Sequence, residues 1–290
     1  MVSRFLTLVT LGFTLGSLVA RAERTHVTVL STTDLHGHIQ PFDPYTKEPA
    51  NHGLAKLSTL IKRSRQLDPE LILLDSGDTI QGTPGAYHAA VVEPAETNPM
   101  MAAMSLLRFD AMAPGNHEFN FGLETLNRAR RSSRFPWISA NVCLGGSDDP
   151  AYAPYIIKQV RGVRVGILGL TTPTVPAWED AENYQGLHFT DPVAAATRWV
   201  KELRRRNRVD VVIIAMHMGL EEDILSGQPT PGQIPGENTA VRIAREVPGI
   251  DLILMGHTHQ DIPSIDINGV LLTQAGRWGE YLSRTILMLE

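Results

Sequence analysis

Five short apolar β-type runs in this chain each end within a few residues of a side chain that can ligate a metal. That recurrence constrains the fold more than any other feature. Val27-Thr28-Val29-Leu30 leads to Asp34-Leu35-His36, and Leu71-Ile72-Leu73-Leu74 leads to Asp75-Ser76-Gly77-Asp78. Ala111-Met112-Ala113 runs into Pro114-Gly115-Asn116-His117-Glu118, Val211 through Met216 into His217, and Leu252-Ile253-Leu254-Met255 into Gly256-His257-Thr258-His259. Between the runs, Leu54, Leu57, Leu60 and Ile61 recur at helix spacing, as do Met100, Met101, Met104 and Leu107, and Val193, Ala196, Val200 and Leu203. Strands that are apolar throughout belong to sheets covered on both faces, and the β-α alternation favours parallel, right-handed crossovers. In such sheets the site lies beyond the carboxyl ends of the strands, where these polar residues fall. Ile156 to Ile167 reads as a hairpin turning at Arg161-Gly162, and Ile265 to Leu272 as another turning at Asn268-Gly269. Both fit a second sheet or an antiparallel edge, and Ile286-Leu287-Met288-Leu289 reads as a final strand.

With 43% hydrophobic and 20% charged residues, the chain can bury enough apolar surface to fold. A net charge of -5 argues against a wide basic surface for duplex nucleic acid, while a small anionic substrate stays open because a bound metal supplies local positive charge. The N-terminus reads as a secretory signal: Arg4, then an apolar stretch from Phe5 to Val19, then Ala20-Arg21-Ala22 before a cut. The expected organisation is therefore a signal peptide over 1–22 and a catalytic domain over 23–290, located in the periplasm or outside the cell. No stable membrane anchor is expected after cleavage. Cys143, the only cysteine, excludes an intrachain disulfide and reads as a small core residue.

Asp34, His36, Asp78, Asn116, His217, His257 and His259 offer carboxylate, imidazole and amide ligands without a thiolate. Such a mixed set suits divalent Mn, Zn, Fe, Co or Mg, and it exceeds what one ion needs. A carboxylate such as Asp78 can bridge two ions, which clamp a phosphoryl group and lower the pKa of bound water to give a hydroxide nucleophile. His117 adjoins Asn116, so its imidazole can face the substrate as proton donor or oxyanion partner.

Taken in order, Asp34-Leu35-His36, Gly77-Asp78, Gly115-Asn116-His117-Glu118, His217 and Gly256-His257-Thr258-His259 resemble the motifs of the calcineurin-like metallophosphoesterases. Gly77 to Gly82 and Gly115 to Gly122 resemble its exported nucleotidase branch. Asn120, followed by Phe121-Gly122-Leu123, is similar to the 2′,3′-cyclic-nucleotide 2′-phosphodiesterase/3′-nucleotidase group, whereas 5′-nucleotidases usually place Asp there. The resemblance runs from about Val27 to the end. It implies an αββα sandwich of two mixed sheets flanked by helices, in the α/β class. It also implies one metal on Asp34, His36, Asp78 and His259, and a second on Asp78, Asn116, His217 and His257, with His117 as catalytic histidine. Asn120 removes the carboxylate that partners this histidine in the 5′-nucleotidase relatives. The C-terminal nucleotide-binding domain of the family is expected to be absent.

The expected function is hydrolysis of small nucleotide phosphate esters by metal-hydroxide attack. A 5′-nucleotidase or nucleotide-sugar hydrolase is one alternative, and a truncated module that binds metal and phosphate without turnover is another. His38 and Asp75 adjoin ligands and could support them. His26, His52, His88 and His188 read as surface or satisfied residues. The tryptophans read as packing, except that Trp178, in a Pro-containing loop, could line the cleft. Arg204-Arg205-Arg206 reads as a solvated helix end.

Overall fold

A strand that is apolar on both faces must be covered from both sides, and three separate clusters of buried side chains do this here. The computed structural model describes residues 25–289, so the expected signal segment over 1–22 lies outside the described residues. Among the described residues twelve strands are formed: β1 Thr25–Thr32, β2 Ile72–Asp75, β3 Ala111–Met112, β4 Val142–Leu144, β5 Tyr155–Val160, β6 Val163–Thr171, β7 Leu187–Phe189, β8 Val211–His217, β9 Leu252–Met255, β10 Asp261–Ile267, β11 Val270–Ala275 and β12 Ser283–Leu289. Seven α-helices lie between them: α1 Leu54–Leu67, α2 Pro84–Tyr87, α3 Pro99–Leu106, α4 Gly122–Ser132, α5 Val175–Trp178, α6 Pro192–Arg205 and α7 Ala240–Glu246.

One sheet has the order β12-β1-β2-β3 and the other β10-β11-β9-β8-β6-β5, while β4 and β7 pair as a small ribbon. Both large sheets are mixed. In the first, β1, β2 and β3 run parallel and β12 is antiparallel to β1. In the second, β6, β8, β9 and β11 run parallel while β5 and β10 pair antiparallel at the edges. Successive side chains of a strand point to opposite faces, and the burial follows that alternation. Val27, Val29, Ile72 and Leu74 of the first sheet meet Val165, Ile167, Val211, Ile213, Leu252 and Leu254 of the second in one cluster. Leu30, Leu73 and Met112 face the other way, against α1, α3 and α4. Val212, Ile214, Ile253 and Met255 face away from the first sheet, against α6 and α7. Helix, sheet, sheet and helix thus form the expected αββα sandwich.

The turns follow from local chemistry. Arg161 and Gly162 have φ of 48° and 82°, and Asn268 and Gly269 have 54° and 82°, the left-handed pairs that a two-residue hairpin requires. Helix α3 begins where Asn98 accepts from Met100 and Met101 N–H, and α6 where Asp191 accepts from Val193 and Ala194 N–H. Two expectations need correction. Leu60 lies in α1 but is 47% exposed, so it stands off the buried stripe of Leu54, Leu57 and Ile61. Arg204 is not solvated: its guanidinium donates to the carbonyls of Gly249, Val209 and Asp210 and pairs with Asp251. Among the described residues, no helix is long and apolar enough to cross a membrane.

Gly169 shows how close the layers come. A Cβ there would lie 2.1 Å from the carbonyl oxygen of Ile138, where backbone rather than a flexible side chain is the obstacle. Gly169→Ala is expected to destabilise the fold by about 1–3 kcal/mol, the usual cost of overpacking. An unfolding free energy from urea titration within about 0.5 kcal/mol of wild type, the range of neutral surface changes, would show that the strand gives way freely.

Candidate metal centre

Because β1, β2, β3, β8 and β9 all point their carboxyl ends to one edge of the sandwich, the loops that follow them meet there. Asp34 and His36 follow β1, Asp78 follows β2, and Asn116 and His117 follow β3; His217 ends β8, and His257 and His259 follow β9. The sheets are thereby bridged at this edge. Asp34 N–H donates to Gly77 O at 2.8 Å, and His36 N–H to Asp78 O at 2.9 Å. His257 N–H, from the other sheet, donates to the Asp34 carboxylate at 3.1 Å, and Ser76 Oγ donates to Leu254 O at 3.0 Å.

The candidate ligands fall into two groups. Asp34, His36 and His259 form one and Asp78, His217 and His257 the other, each with its ligand atoms within 4.8 Å of one another. Asp78 stands between them, its Oδ2 3.0 Å from His217 Nε2 and 3.9 Å from His36 Nε2. His36 Nε2 faces His259 Nε2 at 3.1 Å, and His259 Nε2 lies 3.3 Å from Asp34 Oδ1. Six of the seven expected donors are therefore brought together, and Asn116 stands in the loop after β3 beside His117, whose N–H donates to Asp78 Oδ1. Two of their buried atoms, Asn116 Oδ1 and His217 Nε2, have no hydrogen-bond partner. His217 Nε2 lies 3.0 Å from Asp78 Oδ2, a carboxylate that draws positive charge toward it. Orphaned acceptors of this kind are costly in a protein interior, and a divalent ion satisfies them. The donor set therefore fits two divalent cations.

Neighbouring groups fix which nitrogen each imidazole offers. His217 Nδ1 lies 2.6 Å from Ser76 O, and a carbonyl only accepts, so Nδ1 carries a proton and Nε2 is the nitrogen turned toward Asp78. His36 Nδ1 faces the backbone and side-chain oxygens of Gln81 at 3.2 Å, which also leaves Nε2 free. His257 is turned the other way: Nε2 bonds Glu237 Oε1 at 2.6 Å, leaving Nδ1. Its hydrogen bond to His257 holds the Glu237 carboxyl below the ordinary range. Burial pushes the His217 imidazole down, but the charges of Asp78, Asp34 and Glu118 outweigh it and raise it to about 10. Burial likewise opposes ionisation of Asp78, yet His217, His117 and His36 hold its carboxyl well below the usual range. The cluster attracts positive charge.

The backbone is bent to achieve this. Asp34, His36, Asp78, His257 and His259 have φ of 51°, 45°, 56°, 73° and 56°, left-handed values uncommon outside glycine. The adjoining glycines serve close approach: a Cβ on Gly115 would lie 2.2 Å from Asp78 Oδ1, and one on Gly77 2.5 Å from Gly115 N. Glu118 secures the loops. Its buried carboxylate accepts from the N–H groups of Asp78, Thr79, Ile80 and Gly115 at 2.8, 2.6, 3.2 and 2.6 Å.

His117 is tied to this frame by its own N–H, which donates to Asp78 Oδ1 at 2.8 Å, and its ring lies 5.3 Å from that of His36. Its Nδ1 is 2.7 Å from Asn120 Oδ1, and Asn120 Nδ2 donates to Glu179. Trp178, 49% exposed, stands at the rim with its ring 6.3 Å from that of His257. His38 stacks on Trp278 at 4.9 Å, and burial lowers its imidazole. His52 is buried against both rings rather than at the surface. The sequence reading gave no task to Glu118, although it lies inside a quoted motif. It missed Glu179 and Glu237, which lie in loops far from any motif and carry no spacing signal.

The fold and this donor set define a candidate centre for two divalent cations at the edge of an αββα sandwich. The family model described as Calcineurin-like phosphoesterase matches residues 27–261, and the chain belongs to that family. The chain is 31% identical over 299 residues to the trifunctional nucleotide phosphoesterase protein YfkN of Bacillus subtilis, covering 93% of this chain and 20% of that one. It is 32% identical over 293 residues to a 2′,3′-cyclic-nucleotide 2′-phosphodiesterase/3′-nucleotidase of Yersinia enterocolitica, covering 92% of this chain and 44% of that one. A crystal structure of calcineurin-like phosphoesterase YfkN from Bacillus subtilis superposes with a TM-score of 0.82 at 31% identity, over 92% of this chain and 86% of that one. Most of the curated relatives are matched over about half their length or less.

Asp75 turns the frame into a measurable pH effect. Its buried carboxylate accepts from Thr32 Oγ1, Gly77 N–H and Thr79 Oγ1, but burial and Glu118 raise its pKa to about 7. From an unfolded value near 3.8 up to about 7 the folded state then binds more protons than the unfolded one, so stability from this group falls as pH rises through that window and is level above it. In metal-free protein, Asp75→Asn is expected to gain urea stability relative to wild type between pH 4 and 7 and no more beyond. Parallel stability curves across that window would contradict it.

Proposed function

We propose that this chain is an exported phosphoesterase that holds two divalent cations and hydrolyses nucleotide phosphate esters, of the 2′,3′-cyclic-nucleotide 2′-phosphodiesterase/3′-nucleotidase type. The observation that carries the reading is the placement of Asp78 between two His/Asp groups with His117 beside them. In this reading Asp34, His36, Asp78 and His259 hold one cation, and Asp78, Asn116, His217 and His257 hold the other. The orphaned Asn116 Oδ1 and His217 Nε2 support that division. Mn, Zn, Fe, Co and Mg all suit the donors. Two bound cations supply Lewis acidity for the phosphoryl oxygens and activate water as the nucleophile.

The chain's own groups do the rest. Asn120 turns His117 so that Nε2 meets the substrate, where it gives a proton to the leaving oxygen or steadies a phosphoryl oxygen. Trp178 offers a partly exposed indole beside His257, suited to the base of a nucleotide. Asn120 favours the cyclic-nucleotide type over a 5′-nucleotidase. Export is supported by the apolar run from Phe5 to Val19 and the Ala20-Arg21-Ala22 that follows.

Chelation is expected to abolish hydrolysis of a chromogenic phosphodiester and Mn or Co to restore it; turnover that persists in chelator would refute the reading. A product assay on cyclic and 5′-nucleotides separates the proposed type from a 5′-nucleotidase. Asp78→Ala should lose both ions, whereas His117→Ala should keep them and slow hydrolysis by about 10²- to 10⁴-fold, a general-acid contribution. Elemental analysis of the two variants checks the contrast, and metal loss in His117→Ala would reassign that residue.

A further inference from the structure

Asn120 poses a problem that the motif alone does not solve. An Asn amide has an acceptor end and a donor end, and which end meets a histidine decides which ring nitrogen is protonated. With the donor end against Nδ1, the neutral ring keeps its proton on Nε2, and an error of this kind costs about 10⁴-fold in triad hydrolases. A carboxylate has no such ambiguity, because it only accepts. Asn120 by itself does.

The resolution lies 59 residues further along the chain. Glu179 caps α5, its own N–H donating to Val175 O at 3.0 Å, and its side chain turns back to receive Asn120 Nδ2. The other carboxylate oxygen receives Asn183 Nδ2 at 3.1 Å, and that same amide also donates to Asn120 O at 3.2 Å. Both oxygens of Glu179 thus face amide donors. The Asn120 amide can satisfy this carboxylate only with Nδ2, which leaves Oδ1 facing His117 Nδ1 at 2.7 Å.

We propose that Glu179 is a positioning residue for the reaction: by accepting from Asn120 Nδ2 it locks the amide, keeps a proton on His117 Nδ1 in both the neutral ring and the imidazolium, and makes Nε2 the nitrogen that gives up or takes back the second proton at the substrate. The inference rests on the reading of His117 as the working imidazole. Glu179 supplies at one remove the acceptor that an Asp at position 120 would supply directly. The two arrangements exclude each other, since a carboxylate at position 120 would stand against that of Glu179 with no donor between them.

That incompatibility gives the test. Glu179→Ala is expected to lower kcat by about 10- to 100-fold, the usual scale for groups that orient a ligand or catalyst, with metal content and KM little changed. Asn120→Asp alone should also lower kcat. In the Asn120→Asp background, however, Glu179→Ala should raise kcat, because it removes the opposing carboxylate and leaves an unambiguous acceptor for Nδ1. A residue that merely supported the loop would be harmful to lose in both backgrounds, and that outcome overturns the proposal.

The second readout needs neither metal nor turnover. Long-range proton–nitrogen correlation of the His117 ring in metal-free protein at alkaline pH should show Nδ1–H alone in wild type. It should show mixed tautomers in Glu179→Ala, and Nδ1–H alone again in the double variant. An unchanged tautomer in Glu179→Ala refutes the inference even if hydrolysis proceeds as proposed. An inactive wild type with the expected tautomers would instead refute the functional reading and leave the positioning intact.

Discussion

Four backbone N–H groups from two loops end on one buried carboxylate, that of Glu118, and the site depends on that convergence. The amides of Asp78, Thr79 and Ile80 belong to the loop after β2, and that of Gly115 to the loop after β3. Burial and the charge of Asp78 push the Glu118 carboxyl up, while these amides favour its ionised form. All four neighbours are donors, so the carboxylate is the form the surroundings are built to hold. Buried donors left without it would each cost about 1–3 kcal/mol. Through this anchor Asp78 is held at the seam of the two sheets.

The same frame sustains the strained backbone. Five of the seven candidate ligands adopt left-handed φ, a conformation costing on the order of 1–3 kcal/mol for a residue with a side chain. Their loops persist in it because they are cross-bonded rather than independent: Asp34 to Gly77, His36 to Asp78, His257 to Asp34 and Trp278 N–H to Asp34 O. The gain is geometric. Short turns aim several donors from different strands at common points, which helical or extended backbone at the same positions would not do.

Charge organises the surroundings in successive layers. Carboxylates and imidazoles meet at the centre; behind them Ser76 O, Gln81 and Glu237 select the nitrogen that each histidine presents. His117 repeats the principle outside the two groups, with Asn120 and then Glu179 behind it. A neutral amide thus becomes directional because a charged group lies beyond it. Trp178 precedes Glu179, so one segment reaches both Asn120, behind His117, and the rim beside His257.

The sequence by itself determined the layers and the candidate donors. Apolar strands need two covered faces, so Val27 to Leu30 and Val211 to Met216 dictated sheets packed on both sides, and strand ends in a parallel sheet share one edge. Asp34, His36, Asp78, Asn116, His217, His257 and His259 were legible because each follows such a run directly. The Arg161-Gly162 and Asn268-Gly269 turns were legible for the same local reason. Tertiary structure alone decided what comes from distant segments: that Asp78 stands between the two groups, that Leu60 faces solvent, and that Glu118, Glu179 and Glu237 bond across the site. A lone glutamate has no periodicity and no neighbouring motif to mark it. Its role depends on which amide or imidazole lies opposite, and that is set only when separate loops are folded to within hydrogen-bond distance.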